Sequence, residues 1–190
     1  AFFNDAVGQS HLTLKANVFT QVLDFNATYC RGTALGGEAA FIVARQLNYD
    51  QSRAQDGALT SGVTEAADGF GLDWGRQITA GKRTDTTATS PATGVDFTDV
   101  TTLFGWQAML HVFAFTGTSV TVTLQDSADN SAFTTLTGGA FTAATGITSQ
   151  RLQGGRTATV RRYIRAITTG TFSNAVFALA FNRNVADTPF

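Results

Sequence analysis

From Val120 to Gln125 the chain reads VTVTLQ, with Val120, Val122 and Leu124 on one side of an extended backbone and Thr121, Thr123 and Gln125 on the other. This period of two cannot be laid on a helix, whose faces repeat every 3.6 residues, and it is the pattern of a strand covered on one face. The same alternation runs through TATVRRYIRAIT, where Arg161, Tyr163, Arg165 and Ile167 oppose Val160, Arg162, Ile164 and Ala166. FGWQAMLHVFAF before residue 116 and NAVFALAF at 174–181 are apolar on both sides, as expected of central strands covered twice. Abundant Thr, 16 Phe and 19 Gly supply the β-branched, aromatic and turn residues such strands need.

The first half follows the same rule less cleanly. VFTQVLDFNATYC (18–30) and EAAFIVARQL (38–47) read as strands joined by the glycine turn RGTALGG, and ALTSGVTEAADG as a third, weakened by Gly62. NYDQSRAQDG (48–57) reads as a long polar loop, and the one helix candidate lies near VGQSHLTLKA (7–16). No hydrophobic period crosses RQITAGKRTDTTATSPATG (76–94), which carries Pro91 and a cluster of charges. The expected fold is therefore all-β: an antiparallel sandwich or barrel over residues 1–80 with one short helix, a linker at 81–95, and a second β-sandwich over 96–190.

Charge narrows the function. Only 14% of residues are charged and the net charge is −1, which gives no reason to expect tight binding to nucleic-acid phosphates, a task that needs a basic face. No apolar run is long enough for a membrane span, and AFFNDAVGQS lacks the basic and apolar regions of a signal peptide. A single cysteine, Cys30, forbids an internal disulfide and fits an intracellular origin. Two phenylalanines directly after residue 1 are the pattern of an internal position in a longer protein. With so few charges, much of the surface is expected to be hydroxylated or covered by neighbouring copies.

Candidate chemistry is sparse. His11 and His111 are far apart in sequence, with no cysteine beside either, which disfavours a zinc centre; His111, inside MLHVFAF, reads as a sheet-face histidine. Cys30 would need a base such as His11 to become a nucleophile, and as the end of a strand it reads as a half-buried thiol. Asp68 and Asp73 flank Phe70 and Trp74, a pattern a sugar subsite would show, but one that a strand end and its turn show more often. In QDSADNSAF, Asp126, Asp129 and Asn130 lack the acidic alternation and distal Glu of a calcium loop and read as hairpin-turn residues. No catalytic, metal or cofactor set emerges, and the expectation is a protein that is not an enzyme.

The order of these pieces carries a resemblance. FFNDAVGQSH, ARQLNYDQSRAQDGALT, GFGLDWGRQITAGKRTDT, the QDSADN turn followed by Phe133, and the RRYIRA strand before the final FNRN together resemble the major tail (tail tube) proteins of long, non-contractile-tailed bacteriophages of the siphovirus type. The resemblance covers nearly the whole chain through structural, diffuse motifs. It implies a subunit that self-assembles into stacked, expectedly hexameric rings around a DNA channel, with an external C-terminal β-sandwich. It implies as partners further copies, other tail proteins, and phage DNA passing through the lumen without sequence-specific binding, with no cofactor and no membrane span. The implied location is the virion tail, and the host cytoplasm during assembly. Strands that precede the FFNDA-like segment in such proteins are missing here, as in a fragment or an abbreviated first domain. Within NYDQSRAQDG, Tyr49 and Arg53 are the candidate subunit contacts, an aromatic for area and a guanidinium for directed hydrogen bonds. The alternative is a carbohydrate-binding or host-adhesion β-sandwich module of a virion, using Trp106 or Tyr163 as a stacking platform.

Overall fold

A computed structural model describes residues 25–98 and 101–187, with Lys15 and Pro189. The expected helix near 7–16 lies outside the described residues apart from Lys15, as does the first part of the expected strand 18–30. Lys15 is helical; every other regular element among the described residues is a strand, and the sheet is antiparallel, as the period of two requires.

Contacts divide the chain into two units, one comprising Thr28–Phe41 and Asp73–Phe190, the other Ala1–Ala27 and Ile42–Leu72. The larger is built on β7 (Trp106–Ser127) and β10 (Tyr163–Arg183), which pair along nearly their whole length, from Tyr163↔Ser127 to Arg183↔Trp106. Two strands this long must bend to stay packed, and glycines sit where the backbones close in. A Cβ on Gly117 would stand 2.4 Å from the Cα of Phe172, and one on Gly170 2.3 Å from the carbonyl oxygen of Ser119. The register shifts beside Gly117, between Thr171 and Asn174.

The free edge of β7 is covered by β8 (Thr134–Ala140) and β9 (Thr148–Gln153). That of β10 is covered piecewise by β4 (Asp73–Gln77), β5 (Arg83–Asp85) and β6 (Val95–Asp96). The segment 81–95, expected as a linker, thus lies along β10 inside the larger unit, and the units part at 27/28, 41/42 and 72/73. Its pairings are two or three residues long, too short to leave a hydrophobic period in the sequence. β4 pairs on its other side with residues 38–41 of β2 (Glu38–Arg53), which β1 (Phe25–Cys30) neighbours.

The core of the larger unit forms where the strand alternation predicts it. Val120, Val122, Leu124, Ile164 and Ala166 are buried on the apolar side, and Trp106, Phe177 and Phe181 are fully buried. Phe181 stacks on Trp106 at 5.7 Å and meets Phe97 edge-on at 5.6 Å.

In the smaller unit β2 continues through Arg53 and turns back into β3 (Leu59–Ala67), pairing from Ala44↔Ala67 to Arg53↔Leu59. The expected loop 48–57 is therefore mostly strand, and only 54–58 reverse the chain. Its residues are polar because much of this hairpin is exposed on both faces, so the apolar signal that marks a strand is absent.

Candidate functional site

Tyr49 and Arg53 lie four residues apart on one face of the β2–β3 hairpin, with Gln51 between them on that face. Directly across stand Val63, Ser61 and Leu59, so this face combines Tyr49, Val63 and Leu59 with the Arg53 guanidinium at its far end. The Tyr49 hydroxyl lies 3.1 Å from Ser61 Oγ, which orients the half-buried ring, whereas Arg53 is exposed. The opposite face presents Asp50, Ser52, Thr60 and Thr64 and is polar throughout.

Local chemistry explains the hairpin. Gly57 adopts φ +87°, Asp56 Oδ1 accepts the Ala58 N–H at 2.9 Å, and Ala54 and Gly57 close the turn through backbone bonds. A register shift between Gln46 and Asn48 leaves Leu47 exposed, and Asn48 stitches the bulge by accepting Thr64 N–H at 2.8 Å and donating to Asp50 at 2.7 Å. Among the described residues β3 pairs with β2 alone.

The acidic turn performs a different task. Asp126 accepts the Arg161 backbone N–H at 2.8 Å and its Nε at 2.9 Å, tying the end of β7 to the chain entering β10. Asp129 accepts the N–H groups of Ala132 and Ser131, both at 2.9 Å, and the Ser127 hydroxyl at 2.8 Å. These bonds, that of Ala132 foremost, hold its carboxyl well below the usual range. Asn130 takes φ +60° and its Oδ1 accepts Gly94 N–H at 2.7 Å. Each of the three polar side chains thus bonds the protein's own chain, as a turn requires.

Other candidates separate. Asp68 pairs with Arg45, while Asp73 pairs with Arg151 at 3.4 Å and is pushed up by its burial. His11 lies outside the described residues. Instead His111 comes to Cys30: both line a cavity of about 220 Å3 with Thr28, Thr79 and Phe113. His111 Nε2 is engaged by Thr28 Oγ1 at 2.8 Å, and burial lowers the imidazole pKa and raises that of the Cys30 thiol, the reverse of what a thiolate nucleophile needs. No spacing rule could have paired residues 81 positions apart on β1 and β7. Among the described residues no three His, Cys, Asp or Glu side chains gather as a metal site would require.

The aromatic platforms change places. Trp106 is 0% exposed and unable to stack on a solvent-borne ring, and Tyr163 is half-buried with the Arg162 guanidinium 5.1 Å from its ring centre. Trp74 is the exposed indole. No helix among the described residues is long and apolar enough to cross a membrane. No family model, no curated protein and no solved structure matches this chain.

Proposed function

We propose that this chain is a structural subunit of a bacteriophage tail tube, one that assembles with its own copies into stacked, expectedly hexameric rings around a DNA channel. The observation that carries the reading is the β2–β3 hairpin. It is a two-stranded ribbon whose outer strand has one described neighbour and whose Tyr49–Arg53 face holds the residue types that dominate interface centres. An edge such as that of β3, paired among the described residues with β2 alone, is one that another strand can complete. The ordered series of motifs resembling tail tube proteins, the low charge, and acidic side chains used for turn geometry support the same reading.

In this reading Tyr49 and Arg53 are subunit contacts, the larger unit that contains residues 96–190 decorates the outside of the tube, other tail proteins are the hetero-partners, and DNA passes without sequence-specific contacts. The protein catalyses nothing, takes no cofactor, and belongs to the virion after assembly in the host cytoplasm. The test is sedimentation of the purified chain beside a variant in which residues 51–58 are replaced by a two-residue turn. Higher oligomers that the shortened variant fails to form are expected; a monomer at every concentration contradicts the reading.

A further inference from the structure

Trp74 on β4 is 61% exposed, although the next residue, Gly75, lies hard against β10: a Cβ there would stand 2.1 Å from the carbonyl oxygen of Phe181. The indole flanks an open groove of about 460 Å3 within the larger unit, lined also by Glu38, Arg76, Phe97, Asn182 and Arg183. Alternation along β4 puts Trp74 and Arg76 on the same side of the strand. The Arg76 guanidinium rests 5.7 Å from the centre of the Phe97 ring, whose burial fixes it as a floor, and donates no hydrogen bond to a described residue. The nearby carboxylates have their hydrogen bonds from other cations, Glu38 from Arg31 at 2.9 Å and Asp96 from Arg162 at 2.7 Å, and Arg76 acts on Asp96 only through its charge. Arg183, also against Phe97, donates from Nη1 and Nη2 to the backbone carbonyls of Arg161 and Phe97.

We propose that this groove binds an acidic saccharide, the Trp74 indole stacking on the C–H face of a pyranose ring while Arg76 takes the sugar carboxylate in a two-pronged hydrogen bond. A pyranose has both faces this groove offers partners for, an apolar ring side and a rim of hydroxyls, and Glu38 on the rim accepts hydroxyl hydrogens. A planar guanidinium with open donors suits a carboxylate better than a neutral sugar oxygen. The inference does not rest on the tail tube reading, since it concerns the larger unit of a single chain.

The test exploits the two tryptophans. With Trp106 buried, only Trp74 is open to acrylamide quenching. The full chain is titrated with short oligosaccharides carrying galacturonate, glucuronate or neuraminate, and with their carboxyl-reduced counterparts. At least one acidic oligomer is expected to protect Trp74 saturably, and its reduced form to bind at least about tenfold more weakly. Arg76→Gln, which keeps length and polarity, is expected to erase the preference for the acidic form. Trp74→Ala, read by calorimetry with circular dichroism as the check on folding, is expected to weaken binding by about tenfold or more. Equal protection by acidic and reduced forms, no protection by any of the panel, or unchanged affinity in Trp74→Ala overturns the proposal. So does a change of oligomeric state in Trp74→Ala without sugar, which would assign the groove to a second copy.

Discussion

Asp126 shows what acidic side chains do in this protein. Its carboxylate is 6% exposed and is held by the Arg161 guanidinium and backbone N–H together, so removing it leaves the amide without its acceptor and the guanidinium with only the Asp126 carbonyl and Thr134. Asp126→Ala is expected to lower unfolding free energy by about 3 kcal/mol, with the Asp126→Ala/Arg161→Ala pair costing less than the two single changes summed, as urea denaturation would measure. Two more exposed carboxyls give a pH signature. Hydrogen bonds from Arg162 hold Asp96 down at about 2, and the backbone bonds of Ala132 and Ser131 hold Asp129 low. Because both folded values lie below the unfolded carboxyl value, the stability they contribute is complete above about pH 4 and is lost as pH falls through the folded values. Denaturation midpoints are expected to drop as pH falls from about 4 to about 2, and Asp129→Ala to flatten part of that drop. The geometric role of these acids was legible in the sequence because Asp and Asn in a turn bond their own backbone. The burial of Trp106 at the head of an apolar strand and the exposure of Trp74, set between Asp73 and Gly75 and followed by Arg76, follow their local sequence, but the expected stacking platform is Trp106.

At the scale of elements, the hairpin is where sequence reading and structure part most. β7 and β10 were legible because each buries a face, and burial writes a period of two into the residues. NYDQSRAQDG read as loop because its strand residues face water, so nothing in their hydrophobicity distinguishes pairing from coil. The short strands of 73–96 escaped for a related reason: β5 and β6 span three and two residues, too few for any period to repeat. Tyr49 and Arg53 survive as candidate contacts with a better rationale than a loop would give, since β pairing fixes them on one face. Truncating Arg53, which is exposed, to Ala is expected to weaken self-association about tenfold or more while leaving circular dichroism unchanged. Gly57→Ala meets no atom within 4 Å but must adopt φ +87°, so it is expected to loosen the hairpin by about 1 kcal/mol, read as faster amide exchange in β2 and β3 beyond residue 47.

The whole molecule combines a larger unit with a dense aromatic core and a smaller unit whose described part is an exposed ribbon. Stability of the first depends on Trp106: Trp106→Ala is expected to cost about 3–5 kcal/mol in thermal or urea unfolding, because the cavity would open between Phe181 and Gly154. Function, in the proposed reading, depends on the second, where copies complete one another. Negative-stain electron microscopy of the purified chain at high concentration tests this most directly, with the hairpin-shortened variant beside it. Closed rings or stacked tubes from the natural sequence, absent from the variant, are predicted; single particles of one chain from both would contradict it.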